Sequence, residues 1–150
     1  MGLKVSLDAN VFLNVKNKEE PFFNFSKSIL EKIDDENDDE LKAVVSIITI
    51  TELSVGYYKN NEIKEKDEFI SGLYSNKKYK ICDLGLNISD KAAELRAEIN
   101  LKLPDGLIIA TALVEGCDVL ITNDSKFEKI ETPIDIYNSQ KFYEKYLEKE

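Results

Sequence analysis

The chain contains no histidine, and this absence removes several kinds of chemistry. Without an imidazole there is no Ser-His-Asp triad, no Cys-His pair and no histidine-bound zinc. The chain has 19 lysines and a single arginine. Acidic residues outnumber basic ones 29 to 20, which gives a net charge of −9. The field of the whole molecule therefore opposes anionic partners such as nucleic acid. Any catalysis has to depend on carboxylates, metals, hydroxyls, lysines or thiols.

Cysteine and long apolar runs are scarce as well. Cys82 and Cys117 lie in apolar or strand-like settings, which predicts reduced thiols in a cytoplasmic protein and disfavours a disulfide. No apolar run approaches the roughly 20 residues that a transmembrane helix needs, so we expect no membrane contact. The chain enters a strand pattern at Leu3 without the core of a signal peptide. With 150 residues, 43% of them hydrophobic, the sequence predicts one domain over residues 1–150.

Short apolar strands alternate with helices along the chain. This alternation is typical of a parallel sheet with helices on both faces, so we predict a three-layer α/β fold. We expect Ser89 to cap the helix that ends near Asn100. In such sheets, ligands bind beyond the carboxyl ends of the strands, where the strand order reverses. The predicted strands are Leu3–Leu7, Leu41–Val45, Tyr79–Leu84, Asp118–Thr122 and Ile134–Tyr137.

Four acidic residues lie at strand ends or early in helices. Asp8 and Asp124 follow strands, while Glu52 and Asp105 fall in helices. Each alone has an equally good structural explanation: Asp8 and Asp124 as caps, Asp105 as a charge near a helix N-terminus, and Glu52 as an exposed glutamate of its helix. Together they lie in apolar segments with no lysine or arginine to pair with them, and a desolvated carboxylate without a partner is costly. A hard divalent cation resolves this conflict, so the sequence predicts a metal site and hydrolysis of phosphodiester bonds.

The segments around these acids resemble the successive motifs of the PIN-domain ribonucleases, most closely the single-domain VapC-type toxins of toxin–antitoxin pairs. The resemblance covers nearly the whole chain, and its specific part is LPDGLIIATAL followed by TNDSKF. It implies a five-stranded parallel sheet in the order 3-2-1-4-5. It also matches the family's four acidic metal-site positions to Asp8, Glu52, Asp105 and Asp124. The motif segments are SLDANVFLNV, SIITITELSVGYY, LKLPDGLIIATALVEG and VLITNDSKF.

The resemblance implies an endoribonuclease that uses Mg²⁺ or Mn²⁺, forms a homodimer and is held inactive by an antitoxin over its acidic groove. The family often has a further acid before the phenylalanine, where this chain has Lys126, so one metal or two remains open. Two alternatives also remain: a PIN nuclease of RNA processing or quality control without an antitoxin, and a non-catalytic binding module. A haloacid-dehalogenase-type phosphatase is excluded, because the second Asp it needs is replaced by Asn10.

Other polar residues are candidates for supporting roles. Lys102 precedes Asp105 and Lys126 follows Asp124, so we nominate both lysines as RNA phosphate contacts. The alternative for each is a solubilising surface charge, in which case the lysine-rich helix near Lys64 would hold the RNA. Candidates to orient the metal ligands or their waters, each equally explained as a turn or cap residue, are Asn10, Thr111, Thr122 and Asn123.

Overall fold

The computed structural model describes residues 2–148 and contains a five-stranded, fully parallel sheet. Its strand order is β3-β2-β1-β4-β5, which confirms the predicted α/β fold and the order 3-2-1-4-5. The outer limits of the predicted domain, residues 1 and 149–150, lie outside the described part of the chain. The strands are β1 (Leu3–Leu7), β2 (Leu41–Ser46), β3 (Tyr79–Cys82), β4 (Val119–Ile121) and β5 (Asp135–Tyr137).

Helices cover both faces of this sheet. Over residues 2–148 they are α1 (Ala9–Lys16), α2 (Phe23–Asp34), α3 (Ile47–Lys59), α4 (Ile63–Ser75), α5 (Leu86–Ile99), α6 (Leu103–Val114) and α7 (Ser139–Phe142). A 3-10 turn, Ser125–Lys129, follows β4, and a π-helical turn, Tyr143–Leu147, continues α7. None of the helices in residues 2–148 is long and apolar enough to cross a bilayer.

Alternating strand residues divide the core into two hydrophobic clusters. Leu7 and Ile121 point to the face covered by α1, α2, α3, α4 and α7, and both are fully buried. Leu120, on the opposite face, packs with α5 and α6, where Ile109 is also fully buried. Burial on both faces explains why the central strands are rich in Val, Ile and Leu. The sheet is therefore the middle of three layers.

The strand order reverses between β1 and β4. After β1 the chain adds β2 and β3 on one side, and then crosses through α5 and α6 to place β4 on the other side. The backbone N–H of Asp8 donates to the carbonyl of Ile121 at 3.1 Å, which joins the carboxyl ends of β1 and β4. Next to them α3 begins directly after β2, where the Ser46 hydroxyl accepts from the N–H of Ile48 at 3.1 Å. Three chain segments thus converge at one edge of the sheet.

The start of α5 differs from the prediction. Ser89 does not cap this helix, because α5 begins at Leu86 with Gly85 at the N-cap position. The additional turn places Ile88 in the core, where it is 5% exposed, and this burial outweighs the capping preference of serine. Both cysteines are free thiols, as predicted.

Candidate active site

The four predicted acids line a single cleft of about 220 Å³ at the carboxyl edge of the sheet. Asp8 comes from the end of β1 and Asp124 from the end of β4, while α3 contributes Glu52 and the first turn of α6 contributes Asp105. The other lining residues are Ala9, Asn10, Leu13, Ile108 and Lys126. The structure therefore brings together four carboxylates that are far apart in the sequence, at the reversal of strand order where α/β sheets bind ligands.

Asp8 is the most deeply placed of these acids. One carboxylate oxygen caps α1 by accepting from the N–H of Ala9 at 2.8 Å, and the other accepts from the hydroxyl of Thr122 at 2.8 Å. Burial raises the pKa of Asp8, the two hydrogen bonds oppose the rise, and the charges of Asp105 and Asp124 add to it. The two hydrogen bonds therefore do not fully compensate the burial of the Asp8 carboxylate, and a nearby cation would stabilise its ionised form.

Glu52 lies at the exposed rim of the cleft. Partial burial raises the pKa of Glu52, the charge of Asp8 raises it further, and the charge of Lys126 lowers it. The carboxylates of Asp105 and Asp124 add smaller increases. Glu52 is therefore part of the same electrostatic cluster, although it comes from α3 and the other three acids come from α6 and from the ends of β1 and β4.

A lysine enters the acidic cluster, which the sequence analysis did not foresee. The ammonium of Lys126 lies 3.2 Å from Oδ1 of Asp105 and 3.3 Å from Oδ2 of Asp124. The expectation that no lysine pairs with the four acids is therefore wrong. Burial lowers the pKa of the Lys126 ammonium. Its hydrogen bonds and charge contacts with Asp105 and Asp124 outweigh this effect, so the net pKa is raised.

Three of the predicted polar residues hold the ends of β1 and β4 together. The Thr122 hydroxyl donates to Asp8 and accepts from Asn10 Nδ2 at 3.1 Å and from the N–H of Asp124 at 3.2 Å. Asn10 Oδ1 in turn accepts from the N–H of Asn123 at 2.9 Å. These bonds use the complete hydrogen-bonding capacity of the Thr122 hydroxyl, so they fix Asp8 and Asp124 relative to each other.

Two other predicted residues lie apart from the carboxylates. The hydroxyl of Thr111 donates to the carbonyl of Leu107 at 2.8 Å within α6, and Thr111 does not line the cleft. Lys102 is exposed at the N-cap position of α6 and is likewise absent from the lining of the cleft. Of the two nominated lysines, only Lys126 reaches the carboxylates.

A buried polar cluster surrounds the side chain of Asn123, and the sequence patterns did not predict it. Asn123 Nδ2 donates to Asn14 Oδ1 at 2.6 Å and to Ser139 Oγ at 2.9 Å, while Asn123 Oδ1 accepts from the N–H of Ser139 at 2.7 Å. The hydroxyls of Ser26 and Ser139 are 2.8 Å apart, and both residues are fully buried. The cluster joins α1, α2 and α7 to the end of β4. The only sign of this cluster in the sequence is that small polar residues occupy positions that would otherwise be apolar.

The donor chemistry of the cleft fits a hard divalent cation. Carboxylate oxygens are the ligands that Mg²⁺ and Mn²⁺ prefer, and Asp8 lies among like charges in a buried setting. Lys126 shows that a positive charge is accommodated between Asp105 and Asp124. Over residues 2–148, however, no three acidic or cysteine side chains are arranged as a ready-made metal site. The four acids are thus ligands of a suitable chemical type for a divalent ion, while their spacing in this structure accommodates the ammonium of Lys126.

The family of the chain follows from its sequence. Residues 5–133 match the model of the PIN domain, so the chain belongs to the PIN-domain family and the predicted family is confirmed. No curated protein matches the sequence.

Solved structures share the fold. A chain of a toxin–antitoxin complex from Klebsiella pneumoniae is 26% identical, with a TM-score of 0.64 over 88% of this chain and 99% of that one. A chain of VapBC-1 from nontypeable Haemophilus influenzae is 20% identical, with a TM-score of 0.69 over 92% and 99%. The Mycobacterium tuberculosis toxin VapC20, which cleaves the sarcin–ricin loop, is 9% identical, with a TM-score of 0.63 over 83% and 92%. The last two show the fold alone.

Replacing Asp8 by Asn tests the electrostatic conflict in the metal-free protein. The pKa of Asp8 is higher in the folded than in the unfolded chain, so its ionisation destabilises the fold as the pH rises above the ordinary value of 3.8. Asparagine caps helices as well as aspartate does, but its amide nitrogen cannot accept the hydrogen bond that the Thr122 hydroxyl donates to Asp8. This loss is common to both pH values, so we expect the stability of Asp8→Asn relative to wild type to rise between pH 3 and pH 7 by about 1.4 kcal/mol for each unit by which the pKa of Asp8 is raised.

Near pH 3 the carboxyl group of Asp8 is protonated in the folded and in the unfolded chain, so this pH-dependent gain is absent there. Denaturant unfolding with chelator at both pH values measures it, and the exposed Asp90→Asn serves as the matched control. A relative stability of Asp8→Asn that does not rise from pH 3 to pH 7 would contradict the clustered site.

Proposed function

We propose that the chain is a metal-dependent endoribonuclease that hydrolyses RNA phosphodiester bonds in the cytoplasm. The observation that carries the proposal is the convergence of Asp8, Glu52, Asp105 and Asp124 on one cleft. All four acids that the family motifs predict are present there, which argues against a non-catalytic module. The structural relative VapC20 is a cleaving toxin, which supports a nuclease.

Asp8, Asp105 and Asp124 would hold Mg²⁺ or Mn²⁺, and Glu52 would complete the site. When bound, such an ion polarises a phosphate oxygen and lowers the pKa of a water. Asp8 is kept in a fixed orientation by Ala9 and Thr122, so little reorganisation is required of it during the reaction. Glu52 lies at the rim and has a raised pKa, so its carboxylate would accept a proton from the attacking water.

RNA binding to an acidic protein needs local positive charge. Acidic residues outnumber basic ones 29 to 20, so net attraction cannot hold the phosphate backbone. Lys126 lies inside the cleft and Lys102 is exposed on α6, the helix that carries Asp105. We therefore retain both lysines as RNA phosphate contacts. Lys126 would lie near the scissile bond, and Lys102 would contact a phosphate further along the RNA.

An antitoxin partner is the second part of the proposal. The Klebsiella relative is a chain of a toxin–antitoxin complex and is similar over 88% of this chain. We infer that this protein is the toxin of such a pair, that an antitoxin covers the acidic cleft, and that the toxin forms a homodimer. A neighbouring gene for a small DNA-binding protein would support the pair over a nuclease of RNA processing.

Replacing the acids one at a time tests the metal dependence. We expect Asp8→Asn, Asp105→Asn and Asp124→Asn each to lower RNA cleavage by about two orders of magnitude or more, because each removes a ligand charge. Chelator should abolish cleavage by wild type, and added Mn²⁺ should restore it. Asp118→Asn, at the opposite end of β4 and outside the cleft, is the control that keeps activity. Cleavage that survives in all three variants, or in chelator, rules out the mechanism.

The products distinguish water from the ribose hydroxyl as the attacking group. Hydrolysis leaves a 5′-phosphate and a 3′-hydroxyl, whereas attack by the 2′-hydroxyl leaves a cyclic phosphate. Because the chain has no histidine to deprotonate a 2′-hydroxyl, we expect the hydrolytic ends. End-mapping of total RNA cleaved with Mn²⁺ measures this, and 2′,3′-cyclic ends would refute it.

A further inference from the structure

Lys126 is held in the acidic cleft from both ends of its side chain. At the backbone, its N–H donates to Asp124 Oδ1 at 3.1 Å, which closes the 3-10 turn after β4. The ammonium lies 5.6 Å from the ring centre of Phe127, which is itself 2% exposed and anchored in the core. The position of Lys126 therefore follows from the turn that also places Asp124.

The ion pair of Lys126 with Asp105 differs from an ordinary surface contact. The Asp105 side chain is 13% exposed, whereas that of Lys126 is 49% exposed. A carboxylate with so little access to water depends more strongly on its counter-charge than an exposed one does. Among the ion pairs of residues 2–148, only those of Lys126 involve acids of the cleft, and they involve two of the four, Asp105 and Asp124.

The charge of the cleft sets how many cations it needs. Four ionised carboxylates carry four negative charges, and two divalent ions would balance them without Lys126. With Lys126 in place, one divalent ion leaves a single negative charge. A second divalent ion would leave a net positive site and would be repelled by the ammonium between Asp105 and Asp124.

We propose that Lys126 takes the place of a second cation, so that the cleft binds one divalent ion per chain and Lys126 itself contacts the scissile phosphate. This inference rests on the proposed nuclease function. An ammonium has three N–H donors, and Asp105 and Asp124 use two of them. The third is free to donate to a phosphate oxygen, and the half-exposed side chain gives the substrate access to it. Lys126 then stabilises charge that develops on the phosphate.

Titration calorimetry with Mn²⁺ alone, on the full chain without RNA, tests the stoichiometry. We expect wild type to bind one Mn²⁺. Lys126→Met removes the charge but keeps the length of the side chain, and we expect it to take up a second ion or to bind the first about tenfold more tightly. Lys129→Met, an exposed lysine of the same turn outside the cleft, is the matched control and should behave as wild type.

Lys126→Arg separates the effect of charge from the effect of folding. It keeps the positive charge and should bind one Mn²⁺ as wild type does. Two ions in wild type, unchanged binding in Lys126→Met, or an arginine variant that behaves like the methionine variant would each overturn the inference.

Without Mn²⁺, Lys126→Met should melt below wild type because Asp105 and Asp124 lose their counter-charge, and Mn²⁺ should reverse the loss. An unchanged melting temperature also overturns it.

The two proposals fail in different ways. If these stoichiometries are found but RNA is not cleaved, the nuclease function is wrong and the role of Lys126 as the second cation stands. If RNA is cleaved and wild type binds two ions, the nuclease stands and the role of Lys126 is wrong. A wild-type chain that binds no Mn²⁺ overturns both.

Discussion

The hydrogen bond from Thr122 to Asp8 joins the ends of β1 and β4, and the organisation of the cleft depends on it. It crosses the position where the strand order reverses, so it connects two parts of the chain that are 114 residues apart. The same hydroxyl accepts from Asn10 and from the backbone of Asp124. One threonine therefore fixes the carboxylate of Asp8 and the backbone of Asp124, and the fold places Glu52 and Asp105 beside them.

Holding like charges together is costly, and the structure contains the compensation. Burial and neighbouring carboxylates raise the pKa of Asp8 and of Glu52, so the ionised forms of these two acids are disfavoured. Lys126 relieves the conflict at Asp105 and Asp124, and a divalent ion would relieve it at Asp8. The buried amide and hydroxyls around Asn123 make the end of β4 rigid, because nearly every donor and acceptor in that cluster is satisfied.

The sequence predicted some features of the fold and of the site, but not others. Alternating strands and helices predicted a parallel sheet, and the positions of Asp8 and Asp124 after strands followed from it. The strand order came from the family motifs, because periodicity does not say which strands are neighbours. The pairing of Lys126 with Asp105 was missed because it joins two turns that meet only in the folded chain. The contact of Asn14 with Asn123 spans 109 residues and has no local pattern.

The central claim is that one divalent ion and Lys126 together neutralise the acids at the strand reversal. Anomalous diffraction from crystals grown with Mn²⁺ tests it most directly. The account predicts a single peak per chain within bonding distance of the Asp8 carboxylate, with the Lys126 ammonium still beside Asp124. Two peaks in the cleft with Lys126 displaced into solvent, or a peak only outside the cleft, would contradict it.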